Sequence, residues 1–303
     1  MALLRNRVSQ AGQRVPGRYA SGIYLRNVSD SLILKNVAFA NTYAGILLTY
    51  GATRNVVGEN LVYGNRTSDP RRGPGIRLWN APSNTVTGNI SYGNEGSGIE
   101  IHAGSDSALV TNNVVYGNGN HGIDAFRSTS ARLLANTVHE NITAGINIQG
   151  GSRDSVIENN IAVDNGVDSP RTKGNIRVDA SSSNGTLMNF DLVYLTPSSQ
   201  TTTTNYVVVW GRLKAVQLAD FQAATGQETR GIQADPAWVD AEAGNYHLRA
   251  GSVAIDSANS SVPGQPARDV ERRDRFDAPR VANSGTGRKR YVDRGAFEFR
   301  PRR

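Results

Sequence analysis

The chain repeats itself between Gly22 and Asn165, and this constrains its fold more than any other feature. A Gly-Ile pair recurs at Gly22-Ile23, Gly45-Ile46, Gly75-Ile76, Gly98-Ile99, Gly122-Ile123 and Gly145-Ile146, in steps of 23, 30, 23, 24 and 23 residues. Asn36, Asn60, Asn89, Asn113, Asn136 and Asn160 recur in phase with it, and so do Asn41, Asn65, Asn94, Asn118, Asn141 and Asn165. A fixed period with three markers in phase is the signature of a solenoid.

The segments inside one period say which solenoid. An apolar alternation follows each Gly, as in Ile99-Glu100-Ile101, and short strand-like runs follow at 155–158 and after the Asn, as in Asn113-Val114-Val115-Tyr116. Period-2 alternation in short runs means strands, and no long run has helical spacing. Three short strands per turn make an all-β, right-handed single-stranded parallel β-helix. Successive turns then stack equivalent residues about 4.8 Å apart. A buried Asn in such a stack can bond backbone groups and the Asn of the next turn, which offsets the cost of burying it.

The motif G-I-x-[IL] followed by an Asn turn resembles that of the parallel β-helix repeat proteins, which include pectate lyases and mannuronan epimerases. The resemblance covers residues 20 to 180. The tail segments Ala234-Asp235-Pro236, 248–256 and 295–299 are similar to the C-terminal cap of many such proteins, family nine pectate lyases among them. The resemblance implies a secreted or cell-surface bacterial protein acting on polysaccharide. Lyases similar to family nine use a Lys base and a cluster of Asp residues for calcium. Here the lysines are Lys35, Lys173, Lys214 and Lys289, Lys35 lies on a different strand, and the groove strand has no Asp cluster.

At 303 residues the chain suits one solenoid with a cap. Residues 1–19 read as a basic lead-in, a short capping helix or a truncated N-terminal cap. Residues 20–185 read as rungs, with a degenerate seventh at 174–178. Residues 186–303 read as a C-terminal cap packed on the solenoid, with strands at 187–195 and 206–210, a helix at 216–225, short strands at 238–255, an irregular surface loop at 269–290 and a last strand at 296–299. There is no Cys, so thiolate chemistry and disulfides are excluded. No run approaches the ~18 apolar residues of a membrane span. The start lacks the apolar core of a signal peptide, and the first part of a longer product is expected to be missing. The net charge of +7 favours polyanions.

Two steps of the repeat are long, and both are long at the same phase, through residues 66–74 and 166–173. Insertions at one phase project from one face, often the binding face. Side chains alternate along a strand, so the residues between and after the inward Ile positions form two outward columns. One reads Tyr24, Leu47, Arg77, Glu100, Asp124, Asn147, Arg177; the other reads Arg26, Thr49, Trp79, His102, Phe126, Gln149, Asp179. The following turn adds Asn80, Asp106, Arg127 and Arg153. The expected result is a groove walled by the insertions roughly 19 Å apart, with Arg71, Arg72, Arg171 and Lys173 at its ends.

Glu100 and Asp124 fall on adjacent rungs about 5 Å apart, where one carboxyl pKa should rise. The pair suits acid–base work, a retaining glycosidase, a Ca²⁺ ion, which the sequence allows but does not require, or an inert surface pair salt-bridged to Arg77 and Arg127. His102 lies beside Glu100 as a proton shuttle. The histidines are too scattered for zinc, so no metal ligand is assigned. The acidic groove centre argues against nucleic acid. The expected catalytic residues are therefore Glu100, His102, Asp124 and Arg127. Arg77, Trp79, Phe126, Asn147, Gln149, Lys173 and Arg177 are expected to bind substrate, the aromatics against sugar faces and the cations against carboxylates. The expected function is cleavage or modification of an acidic polysaccharide by a monomer, through lyase-type β-elimination. A glycoside hydrolase, a C5-epimerase and a non-catalytic glycan-binding protein are the alternatives.

Overall fold

A computed structural model describes residues 1–12, 20–67, 72–199 and 203–301. Arg71, residues 68–70 of the first insertion and residues 13–19 of the lead-in lie outside these. Three parallel sheets wind along one axis, each turn giving one strand to each sheet. The first sheet runs from Ala2–Leu4 to Leu187–Asn189, and the second from Arg7–Ser9 to Ile232–Gln233. The third runs from Ile23–Arg26 through Ile46–Thr49, Ile76–Trp79, Ile99–His102, Ile123–Phe126, Ile146–Gln149 and Ile176–Val178 to Val208–Trp210. A last strand, Leu213–Ala215, joins the third sheet antiparallel. The inward positions of these short strands fill a fully buried column, among them Ile76, Leu78, Ile99, Ile101, Ile123 and Ile146.

The Asn columns are continuous ladders. Asn36, Asn60, Asn89, Asn113, Asn136 and Asn160 each donate from Nδ2 to the Oδ1 of the next rung at 2.8–3.0 Å, the last to Asp191. The same Oδ1 atoms accept the backbone N–H of the rung before. The second column runs likewise from Asn41 to Asn165 and ends on Asn175. The Gly of each Gly-Ile pair exists for this second ladder. A Cβ on Gly98 would stand 2.7 Å from Asn118 Nδ2 and 2.3 Å from Val115 Cγ1, and Gly45, Gly75, Gly122 and Gly145 face the same obstruction. Two sequence columns are thus one steric and hydrogen-bonding device.

The lead-in is not a helix where it is described: Ala2–Leu4 and Arg7–Ser9 pair with Leu32–Leu34 and Val37–Phe39. Nor is 296–299 a strand. Ala296 N–H donates to Thr137 Oγ1 and Phe299 N–H to Asp293, so side chains satisfy this backbone and no ladder forms. The expected strand at 187–195 is two, Leu187–Asn189 and Leu192–Tyr194, in different sheets, with Phe190 in the left-handed region between them. The helix forms at Leu218–Thr225 and stops at Gly226, whose φ is 69°. In the irregular loop, Asp269 and Arg275 are buried rather than at the surface, and Arg275 pairs with buried Glu298 at 2.8 Å. Trp238, Tyr246, Leu248, Ile255 and Ala296 pack on Val114, Ile161, Val163 and Leu192 of the second sheet. The tail therefore lies against the second sheet, on a different side from the outward columns of the third.

Candidate active site

The outward columns are in register as spaced: Arg77, Glu100, Asp124, Asn147 and Arg177 are successive lateral neighbours, and so are Trp79, His102, Phe126 and Gln149. The first column is far less exposed than an outward column should be. Asp124 is 4% exposed and Asn147 fully buried, because long neighbours fold over them. Asp124 Oδ1 accepts from Asn147 Nδ2 at 2.7 Å and from Gln149 Nε2 at 3.0 Å. Asn147 Oδ1 in turn accepts from Arg177 at 2.7 Å. Arg77 Nε lies 3.2 Å from Glu100, and its guanidinium also donates to the Tyr43 hydroxyl.

These surroundings set the protonation states. Burial pushes Glu100 up to about 7; Arg77 opposes this and Asp124 adds to it. Burial likewise pushes Asp124 up to about 6, against the bonds from Asn147 and Gln149 and the charges of Arg177 and Arg77. Burial, with Arg77 and Arg127 behind it, drives His102 down to about 4, so its imidazole is neutral at neutral pH. His102 Nδ1 is enclosed without a hydrogen-bond partner, so a ligand can meet only Nε2. Two carboxyls and a neutral imidazole on adjacent strands form an acid–base constellation.

The other expected residues divide. Trp79, 37% exposed, stands between Tyr50 and His102, and Phe126 lies 5.0 Å from His102 between ring centres. Arg127 does not reach the carboxyls; it is exposed, with its guanidinium 4.9 Å from the Phe126 ring centre. Lys173 points to the far end, where Nζ donates to Thr203 Oγ1 and the Thr204 carbonyl. His121, not among the expected site residues, is buried beside Asn147. It contacts Thr143 Oγ1 at 2.7 Å and Asn147 Nδ2 at 3.3 Å, and burial drives its pKa down to about 3. Its signal was its place immediately before a Gly-Ile pair. Tyr43, two residues before such a pair, had no periodic signal.

Calcium does not fit this donor set. Asp124 Oδ1 already takes two amide donors and Glu100 is paired with a guanidinium. Among the described residues no group of three or more His, Asp or Glu side chains gathers as a metal site.

The coiled sheets and stacked Asn ladders define a right-handed parallel β-helix. A family model described as the right handed beta helix region matches residues 21–192, and the chain belongs to that family. No curated protein matches it. Among solved structures, a single mutant of the periplasmic alginate epimerase AlgG is similar at 21% identity, over 63% of this chain and 47% of its own, with a TM-score of 0.49. A double mutant of the same epimerase aligns at 18% identity over 63% and 42% of the two chains, with a TM-score of 0.48. Pectate lyase Pel9A aligns at 14% identity over 99% and 70%, with a TM-score of 0.43. The chain thus spans less than half the length of these epimerase chains.

Proposed function

We propose that the outward face of the third sheet is the active site of an enzyme that cleaves an acidic polysaccharide by β-elimination. The observation that carries the reading is the juxtaposition of Glu100, poised near neutral pH, with His102 held neutral beside it. In the reaction, His102 Nε2 takes the proton on C5, α to the uronate carboxyl group. The electron pair forms the C4–C5 double bond, the C4–O bond breaks, and protonated Glu100 gives its proton to the leaving oxygen. Arg77 and Arg127 both place positive charge near His102, which stabilises the carboxylate as negative charge builds on it. Burial pushes Glu100 up to about 7, and the like charge of Asp124, bound by Asn147 and Gln149, adds to it. Trp79 and Phe126 offer apolar faces to the sugar rings.

A retaining hydrolase is the second reading, favoured by the adjacent-strand carboxyl pair. Incubation with a panel of acidic polysaccharides separates the two: β-elimination yields an absorbing unsaturated uronate, hydrolysis yields reducing ends without it. Glu100→Gln and His102→Ala should each lower turnover on the order of 10²-fold, and unchanged turnover in both would remove this site from the chemistry.

A further inference from the structure

The third sheet does not end at Arg177. Its next strands, Val208–Trp210 and the antiparallel Leu213–Ala215, carry the same outward column on through Val209 and Lys214. At this end lies a cavity of about 530 Å³ lined by Arg171, Lys173, Arg177, Lys214 and Tyr206, with no carboxylate among its lining residues. Four cationic side chains in one concavity repel one another unless an anion offsets them. The contacts of the two lysines are neutral. Lys173 Nζ donates to Thr203 Oγ1 at 2.9 Å and the Thr204 carbonyl at 3.0 Å, and Lys214 Nζ stands 5.6 Å from the Tyr206 ring centre. Arg171 donates to the Gly119 carbonyl at 3.1 Å, among other contacts. Arg177 is spent on Asn147 Oδ1, with the carboxylates of Asp124 and Asp179 close enough to feel its charge. At the opposite side of the carboxyl pair, Arg77 lies 3.2 Å from Glu100. Lys173 and Lys214 have no carboxylate partner among the described residues, so cationic charge gathers at the C-terminal end of the column.

We propose that this cavity is an anion subsite that takes the carboxylate of a uronic acid unit two or more units along the polysaccharide from the unit that reacts. The inference rests on the reading of the groove as a site for acidic polysaccharide, and it adds where the chain runs. Arg177 is two strands from Asp124 and Lys214 four, or roughly 10 and 19 Å at parallel-strand spacing. The polysaccharide then lies along the solenoid axis, from the aromatic side chains of Trp79 and Phe126 over the carboxyl pair to the hairpin. Arg177 joins the two places: it faces the cavity and also holds Asn147, which holds Asp124. Lys214 and Tyr206 lie outside the Gly-Ile repeat, so the subsite requires the segment after the last regular rung.

The test is calorimetric titration of the whole chain with a saturated trigalacturonate, a trimannuronate, their carboxyl-reduced neutral counterparts and inorganic sulfate. The titrations use wild type, Glu100→Gln, Lys214→Glu and Lys214→Met, with folding checked by circular dichroism. Glu100→Gln should retain binding of an acidic trisaccharide. Lys214→Glu should weaken it about tenfold or more and Lys214→Met by less, with sulfate competing and neutral sugars unaffected by either change. If wild type binds an acidic trisaccharide and both Lys214 variants bind it equally well, the subsite is overturned while the groove reading stands. If wild type binds sulfate in a Lys214-dependent way but neither acidic trisaccharide, the uronate assignment is overturned together with the groove reading.

Discussion

Replacing Asn113 by Ala removes the centre of the first Asn ladder, and the structure sets the size of the effect. Asn113 Oδ1 accepts from the backbone N–H of Asn89 at 3.0 Å and from Asn89 Nδ2 at 2.9 Å. Its Nδ2 donates to the carbonyls of Val86 and Thr111 and to Asn136 Oδ1 at 2.9–3.0 Å. The Asn89 side chain keeps two carbonyl partners, Val57 and Thr87. The Asn89 N–H loses its acceptor while buried, at a cost of about 1–3 kcal/mol, and the remaining bonds are worth about 1 kcal/mol each net. The sum is about 5–7 kcal/mol. At about 2 °C per kcal/mol, near the lower end of the scale for chains of 150–250 residues, the melting temperature should fall by roughly 10–14 °C. Thermal melts followed by far-ultraviolet circular dichroism read this directly. A fall of less than about 2 °C would refute the claim that the ladder carries the stack, since the orphaned N–H alone should cost more than about 1 kcal/mol.

Three further outcomes follow from the same structure. Gly98→Ala places a Cβ 2.3 Å from Val115 Cγ1 and 2.7 Å from Asn118 Nδ2; it should unfold the chain or strip it of a cooperative melt, and a native-like melt would show that the rungs can part. Burial raises Glu100 and Asp124 above their unfolded values, so the folded state holds more protons than the unfolded chain between about pH 4 and 7, and their contribution to stability falls as pH rises through that window; Glu100→Gln and Asp124→Asn should therefore gain stability relative to wild type at pH 8 compared with pH 4, and a gap independent of pH would contradict the assignment. Arg77 lowers the Glu100 pKa, so Arg77→Met should move the alkaline limb of the activity profile, where Glu100 loses its proton, to higher pH; a limb that stays put would mean another group is the acid.

Much of the fold was legible because the period carries its own register. Once Gly98, Asn113 and Asn118 are in phase with their counterparts, strand pairing follows, and with it the alignment of Glu100 with Arg77 and Asp124. The burial of that column was not legible. Alternation places Asp124 and Asn147 outward, and only the reach of Gln149, Arg177 and His121 over them closes the site. Arg127 seemed a carboxylate partner by proximity in sequence, but it follows the strand with a φ of 53° and turns onto Phe126. The extension through Val209 to Lys214 was hidden for a different reason: an antiparallel hairpin has no Gly-Ile marker, so the repeat stops where the sheet does not. The expected last strand at 296–299 failed because side chains such as Asp293 and Thr137, rather than a periodic ladder, satisfy its backbone.

The most direct test of the account is ultraviolet absorbance during incubation of the purified chain with acidic polysaccharides, run beside Glu100→Gln and His102→Ala. Growth of the unsaturated-uronate chromophore on at least one polysaccharide, reduced on the order of 10²-fold in both variants, is the predicted result. New reducing ends without the chromophore, altered uronate composition without cleavage, or a chromophore that both variants produce at the wild-type rate would each contradict β-elimination at this site.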